Sequence, residues 1–418
     1  MGRRSCGITL TTCIRVISKK CHCIDGLGDK GMSRRLGFAC TVLVVVGTLS
    51  TSSAQAQLFF EADAVFMDRG GDGAGQPLVV GTDAVDGSGA SGGFEPGYRL
   101  RFGGRLFDYE VDASFLQVSP FGGSTGGTLT NMLILDNTAG NAMVDPGSTA
   151  NVLAFPNGLY AAATQPDELG EGELLSAGAN WTYFDRVNYR DFEINMGTAR
   201  DCRRWRTSLG YRHIRYDGNN QFVISGDFDA IDDGTGLGAD NDGLAGTSLT
   251  AVGFTGSGSF ANLATSSSVD ALTYASQGQA RNELNGAQVT LAYRVFDGTW
   301  VTVEGFGKAG IFQNQVSGQL TEYVVGSGGS SAVYQRQFTD RKKSAAFAGN
   351  LGLRAVVSLT DYINLVGGYE ATWLAGVALT GDQQSALTTD FLGASQYSVD
   401  NTGDVILHGG TLGVEVLW

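Results

Sequence analysis

Long apolar runs are scarce in this sequence. Outside one stretch near the N-terminus, no segment approaches the roughly 18 consecutive apolar residues that a membrane-spanning helix needs. Proline is also rare, with 6 residues against 62 glycines, 22 phenylalanines and 14 tyrosines. Abundant glycine and aromatic residues without sustained helical periodicity indicate a β-rich protein.

The single apolar stretch, residues 36–49, has the features of a secretory signal peptide. Arg34 and Arg35 precede it, and the small-x-small sequence AQA (54–56) follows it as a cleavage site. A membrane helix is the alternative, but the stretch is too short to span a bilayer. We therefore expect residues 32–56 to be a signal peptide that is removed on export.

Removal of this segment changes the residue inventory. Residues 1–31 are interpreted as a mis-assigned N-terminal extension, and residues 57–418 as a single mature domain. That domain keeps one cysteine, two histidines, 20 Lys and Arg residues and 40 Asp and Glu residues. One cysteine excludes a disulfide scaffold, and the strong negative charge argues against nucleic acid as a partner. No cofactor is predicted.

Apolar and polar residues alternate in many segments of the mature domain. In the segment 107–115, for example, Tyr109 and Val111 share one parity while Glu110 and Asp112 share the other. Side chains of a strand point alternately to opposite faces, so each segment predicts a strand with one apolar face. Ten segments follow this pattern: 58–67, 98–102, 107–115, 191–197, 207–216, 287–295, 301–311, 347–357, 363–373 and 409–418. Such a series is typical of a transmembrane β-barrel.

Short and long connections alternate between these segments. The predicted tight turns are 103–104, 199–205, 297–299 and 359–361, and the predicted long loops are 68–93, 119–187, 217–283, 315–344 and 375–403. The fold prediction is an all-β, antiparallel up-and-down transmembrane barrel of about ten strands, with short periplasmic turns and long acidic external loops. Residues 173–184 also resemble a strand, so a barrel of twelve strands is the alternative.

Charged residues take the parity opposite to the apolar face. A cation facing lipid near the bilayer midplane costs about 2–4 kcal/mol, so these side chains are predicted to line the lumen. The predicted lumen network is Glu61, Asp63, Arg99, Arg101, Asp108, Glu110, Asp112, Asp191, Glu193, Arg212, Arg294, Glu304, Lys308, Arg354, Glu370 and Glu415. Mixed charges in a barrel of this size predict ion pairs across the lumen, with a narrow path or none.

Two further groups of residues are candidates for catalysis and for metal binding. His213 and His408 share parity with apolar residues, so they are predicted to face outward and no enzyme activity is expected. The acidic segment 226–243 contains Asp227, Asp229, Asp232 and Asp233, which could bind Ca²⁺ weakly. Its spacing does not match an EF-hand, so a solvated loop is the simpler interpretation.

Three stretches resemble a known family: LNGAQVTLAYRVFDGTWVTVEGFGKAGIF (284–312), GGYEATWLAGVAL (367–379) and GDVILHGGTLGVEV (403–416). They resemble planctomycete outer-membrane β-barrel proteins, which are porin-like and mostly of unknown role. The resemblance implies an outer-membrane location and a barrel architecture, and it carries over no catalytic residue. It also implies that the barrel assembly machinery reads the aromatic C-terminal strand, whose outward residues are Leu412, Val414, Val416 and Trp418.

Three functions remain open from the sequence. The protein could be a porin-like channel for small solutes, or a surface scaffold or adhesin with a plugged lumen whose loops bind surface ligands. In both cases outer-membrane lipid is the expected surrounding. The third alternative is a soluble, secreted β-sandwich.

Overall fold

In a computed structural model of the chain, the described residues are 57–70, 76–106, 108–136, 151–154, 171–199, 204–227, 249–250, 252–258, 269–328, 331–389 and 395–418. The interpretations of residues 1–31 and 32–56 lie outside these residues. So do Asp229, Asp232 and Asp233 of the candidate Ca²⁺ loop. Among the described residues, no helix is long and apolar enough to cross a membrane.

Ten antiparallel strands of the described chain form a closed ring. They are β1 (Gln57–Gly70), β2 (Glu95–Leu106), β3 (Tyr109–Thr128), β4 (Asn180–Thr198), β5 (Trp205–Asp227), β6 (Val269–Asp297), β7 (Val301–Gly328), β8 (Ala332–Ser358), β9 (Ile363–Val377) and β10 (Gly403–Leu417). Each strand pairs with the next along the chain, and β1 pairs with β10, with Phe60 opposite Val416. The prediction of an up-and-down barrel with ten strands is confirmed, and the β-sandwich is wrong because the strands form one ring.

The strand ends that the four short connections join lie together at one end of the ring, which we call the turn end. One prediction there is wrong: β2 and β3 remain paired through Gly103 and Gly104, and β2 continues to Leu106 before β3 begins at Tyr109. Gly103 faces inward against the ring of Phe59, where an added Cβ would lie 2.4 Å from Cζ. The glycine makes room for the Phe59 side chain. The pair of glycines that suggested a turn is therefore explained by packing inside the barrel.

The strands also extend much further from the turn end than predicted. The predicted loop 315–344 is wrong, because β7 and β8 pair continuously as far as Gly326 and Ala332. Residues 180–184 are the first part of β4, and residues 171–175 pair with 133–136 in a separate small sheet. Residues 173–184 therefore add no strand to the ring, and the twelve-stranded alternative is wrong.

The polarity of the two faces reverses along the longest strands, which explains why the extension escaped prediction. In β7, the odd-numbered residues from Val301 to Ile311 point outward and carry no polar side chain, and Ile311 is 76% exposed. Farther along, the outward residues are Gln315 and Gln319, while Val316 and Leu320 face inward and are buried. These extended strands therefore surround a conventional apolar core beyond the first eleven residues of β7.

The connection between β9 and β10 folds into the ring. We call its described part, residues 378–389 and 395–402, the plug segment. It contains a short helix, α1 (Asp382–Ser385), in which Gln383 and Gln384 are completely buried. The plug contacts inward residues of several strands: Thr380 donates a hydrogen bond to Asp185 at 3.1 Å, and Gln384 donates to the Ser276 hydroxyl at 3.2 Å.

Candidate functional site: the lumen

Inward side chains near the turn end form a charged layer. Of the sixteen predicted network residues, the structure brings together Glu61, Asp63, Arg99, Arg101, Glu110, Asp112, Asp191, Glu193, Arg212, Glu304, Lys308, Arg354, Glu370 and Glu415. Each ring strand exposes alternate residues to the lumen, so parity alone positions these groups.

Arg101 is the centre of one group of ion pairs. Its guanidinium lies 3.1 Å from both Glu110 and Asp112 and 3.7 Å from Glu61. Arg354 joins the same group, because it lies 2.6 Å from Glu61 and 3.4 Å from Glu415. Strands β1, β2, β3, β8 and β10 are thereby linked through side chains as well as through backbone pairing.

Arg212 is the centre of a second group, and it is only 1% exposed. It lies 2.6 Å from Asp191 and 3.4 Å from Glu193, and it donates a hydrogen bond to Asn350 across the lumen at 2.6 Å. Lys308 donates to Glu193 at 2.7 Å. A buried charge is tolerated when it is both paired and hydrogen-bonded, and Arg212 meets both conditions.

A third pair joins β2 to β9, because Arg99 contacts Glu370 directly. Asp63 lies beside it and is 5% exposed, and its Oδ1 atom has no hydrogen-bond partner among the described residues. An unpaired buried carboxylate oxygen is costly. Asp63 and Arg354, whose Nε atom also has no hydrogen-bond partner among the described residues, are therefore incompletely satisfied members of the layer.

Two predicted members lie elsewhere. Asp108 is exposed in the turn between β2 and β3, because that turn falls four residues later than predicted. Arg294 lies near the bulge of β6 and binds Asp297 at 2.9 Å, and it does not line the cavity described below. For Asp108, the parity rule failed because it applies only within a strand.

Two arginines of the network were missed, Arg105 and Arg206. Arg105 lies 3.4 Å from Glu110. Arg206 lies 2.6 Å from Glu304 and 3.5 Å from Glu110, so it joins β5 to both β3 and β7. It shares the parity of Arg212, and this signal could have found it. The predicted turn 199–205 ended next to Arg206, which left the residue outside the strand pattern.

The charged layer encloses a polar cavity of about 110 Å³. Charged residues of both signs line it, with Thr290, Asn195 and Phe306 between them. Within the described part of the chain, no group of three or more His, Cys, Asp or Glu residues could hold a metal ion. Asp227, the described member of the candidate Ca²⁺ site, ends β5 far from this layer.

An apolar layer lies across the lumen on the far side of the charges. Side chains from nine ring strands and from the plug segment form one buried cluster, which includes Val65, Leu116, Ile214, Leu284 and Phe312. All five are at most 5% exposed. The polar cavity described above lies on the turn-end side of this apolar layer.

The two histidines lie on the outer face, at intermediate exposure. His213 shares a hydrogen bond of 2.9 Å with Asn285, and His408 shares one of 2.8 Å with Tyr369. Neither lies among the lumen carboxylates that could orient it for acid–base catalysis.

The outer face of the ring is apolar at the same level as the charged layer. The predicted C-terminal residues Leu412, Val414, Val416 and Trp418 all point outward and are 36–58% exposed. Large aromatic side chains surround the turn end, namely Tyr109, Trp205, Trp300, Tyr362 and Trp418. Aromatic girdles of this kind are usual in membrane barrels.

Outside the ring, Asp83 joins three segments at the far end of the molecule. Its carboxylate accepts hydrogen bonds from the backbone N–H groups of Thr130 and Asn131 at 2.9 and 2.8 Å, and from the Asn151 side chain at 2.9 Å. These donors, with the Thr130 hydroxyl foremost, hold the pKa of the Asp83 carboxyl well below its usual range.

The chain is a closed, ten-stranded, antiparallel β-barrel with a charged lumen. No family model and no curated protein matches it by sequence. Among solved structures, the outer membrane protease OmpT from Escherichia coli is 11% identical, with 88% of this chain and 99% of that chain covered and a TM-score of 0.35. The P. putida toluene transporter TodX is 10% identical, with coverage of 88% and 91% and a TM-score of 0.26. At these values the similarities support no conclusion about activity.

Proposed function

We propose that this chain is an outer-membrane β-barrel protein with a closed lumen, which serves as a scaffold for its extended wall and for the loops at the far end. The outward apolar residues that surround the barrel at the level of the charged layer, which we call the apolar band, support the proposed membrane location. Val301 to Ile311 make eleven residues of β7, which at about 3.3 Å per residue and a tilt of about 40° span about 25 Å, the height of a lipid-facing band.

The signal peptide predicted at residues 32–56 agrees with this location. Outer-membrane lipid would then surround the band, and the assembly machinery would recognise the strand that includes Val414, Val416 and Trp418. We further propose that the protein has no catalytic role, because both mature histidines lie outside the lumen. Any ligands are expected to bind the loops at the end of the barrel opposite the turn end.

The buried apolar layer is the observation on which the closed lumen rests. Water and ions cross a barrel through a polar path, and Leu284 and Phe312 close that path together with the plug segment. A porin-like channel is the second candidate, favoured by the polar cavity at the turn end.

Conductance in a planar bilayer tests the proposal. Heat-shifted gel mobility first establishes that the protein is folded. We expect the wild type to be silent, a Leu284→Ala/Phe312→Ala variant to leak, and the control Ile311→Ala, which alters the outer face beside Phe312, to be silent. Discrete and reproducible steps from the wild type would overturn the closed lumen and establish a channel. In that case, Arg99→Ala with Arg101→Ala should change its ion selectivity.

A further inference from the structure

Basic side chains are concentrated on one part of the outer face, just beyond the apolar band. Strand pairing places Arg190 opposite Arg215, Arg215 opposite Glu283, Glu283 opposite Gln315, and Gln315 opposite Lys343. These five residues form one row across β4 to β8. Because all five have outward parity, their side chains share one surface.

A second row lies two residues farther from the band on the same strands. It contains Arg281 and Arg341, with Asp217 between Arg281 and β4. Arg186 follows on β4. The surface therefore carries six cations and two anions, whereas residues 57–418 as a whole have twice as many acidic as basic residues. We call these six cations the basic patch.

Four members of the basic patch are exposed and free to bind a ligand. Arg215 contacts Asp217, and Arg281 lies 2.6 Å from Glu283, so these two are engaged. The side chains of the other four have no ion pair with any described residue; they are Arg186, Arg190, Arg341 and Lys343.

The opposite side of the barrel differs at the same level. There the outward residues at the edge of the band are Asp68 on β1 and Asp404 on β10. Asp404 accepts a hydrogen bond from the Trp373 indole at 3.2 Å. Among the described residues at this edge of the band, the positive charge thus lies on one side, and a general need for solubility does not explain it.

The basic patch begins close to the end of the outward apolar residues. On β4 and β8 the row begins two residues beyond the last outward apolar positions, Phe192 and Ala345, and on β7 Gln315 lies four residues beyond Ile311. Two to four residues along a tilted strand rise about 5–10 Å, and the headgroup region is about 5–7 Å thick on each side of the hydrocarbon. The row therefore lies within the headgroup region at its two ends and at the outer limit of that region on β7.

Guanidinium groups are well suited to phosphate, because their paired N–H donors match two phosphate oxygens. We propose that the basic patch binds phosphate groups of anionic lipid headgroups, on one side of the barrel and in the leaflet farther from the turn end. This inference rests on the proposed membrane location. In this role, the outer surface of strands β4 to β8 would hold the barrel against anionic lipids of that leaflet.

Lipid retention by the folded, full-length mature protein tests this inference. The protein is reconstituted into nanodiscs of phosphatidylcholine containing a fifth of phosphatidic acid, and the lipids retained after extraction are counted by native mass spectrometry. We expect phosphatidic acid to be enriched on the wild type. Changing Arg186, Arg190, Arg341 and Lys343 to Gln should lower the enrichment by about tenfold or more, since each basic residue near an anionic surface contributes about 1 kcal/mol.

The matched control is Asp68→Asn/Asp404→Asn, which changes the charge on the opposite side and should leave the enrichment unchanged. Equal retention by the wild type and the Gln variant would overturn the inference while leaving the membrane location intact. Failure of the wild type to enter nanodiscs would instead overturn the proposed function. A loss of the enrichment in millimolar inorganic phosphate at constant ionic strength would identify a site for the free anion and would also overturn a lipid site.

Discussion

Asn282 holds Ala378 with both atoms of its side-chain amide. Its Nδ2 donates to the Ala378 carbonyl at 2.8 Å, and its Oδ1 accepts the Ala378 N–H at 2.8 Å. Asn314 donates to the same Oδ1 at 3.0 Å and to the Gly376 carbonyl at 3.1 Å. A pair of inward amides on β6 and β7 thus satisfies the backbone where the chain leaves β9 and enters the lumen.

The first prediction concerns this attachment. Asn282→Ala leaves the N–H and C=O groups of Ala378 buried without partners, at a cost of about 1–3 kcal/mol for each unsatisfied group. We therefore expect faster hydrogen exchange in the plug segment, measured by mass spectrometry, with unchanged exchange in the paired strands. Asn285→Ala is the control, because Asn285 lies on the same strand but faces outward. Identical plug exchange in Asn282→Ala and wild type would contradict this role for Asn282.

The second prediction concerns the buried pair of Arg212 and Asp191. Removing one partner of a buried ion pair costs about 3–5 kcal/mol, because the other charge stays buried without compensation. Arg212→Met should therefore lower the midpoint of urea unfolding strongly, and Arg212→Met/Asp191→Leu should recover much of the loss. Arg281→Met, at an exposed pair, should change it little. If Arg212→Met behaves like Arg281→Met, the lumen pair contributes no net stability.

The third prediction concerns the two adjacent glycines of β2. Gly103→Ala places a Cβ 2.4 Å from Phe59 Cζ and 2.7 Å from the Val111 carbonyl oxygen, so it should destabilise the barrel by about 1–3 kcal/mol. In Gly104→Ala the nearest atom is Leu58 Cδ2 at 3.0 Å, at the end of a flexible side chain, and the effect should be much smaller. Urea unfolding of the two variants measures the difference. Equal effects would argue that these glycines act through chain flexibility instead of packing.

The fourth prediction concerns the pH dependence of the segments joined by Asp83. The pKa of its carboxyl is lowered in the folded state, so its contribution is fully present above the unfolded pKa of about 3.9 and is lost as pH falls toward the folded pKa. We expect the Thr130 and Asn131 amides to be more protected in wild type than in Asp83→Asn at pH 6. This difference should shrink progressively below about pH 4.

Comparison of the two proteins at the same pH cancels the intrinsic pH dependence of exchange. The control Asp361→Asn changes a carboxylate of the turn between β8 and β9 and should leave both amides unaffected. A protection difference that stays constant from pH 6 to pH 3 would show that the carboxylate charge is not involved.

Within the apolar band, parity was sufficient to predict both the strands and the direction of their side chains. Charged residues occupy the inward positions and apolar residues the outward positions. Glu61 and Arg354 could therefore be assigned to the lumen from parity, without knowledge that they form an ion pair. The pairing itself depends on register. Glu61 and Arg354 are 293 residues apart, and no local pattern brings them within hydrogen-bonding distance.

Local sequence determined the ten strands, their count and their inward charges, because a period of two residues is imposed by strand geometry alone. Tertiary structure decided where the strands end, that the chain between β9 and β10 enters the lumen, and that an apolar layer lies across it. These features depend on contacts between distant segments, such as Asn282 with Ala378. Beyond the band the same chain encloses a core, and there the period of two residues continues with the opposite face buried.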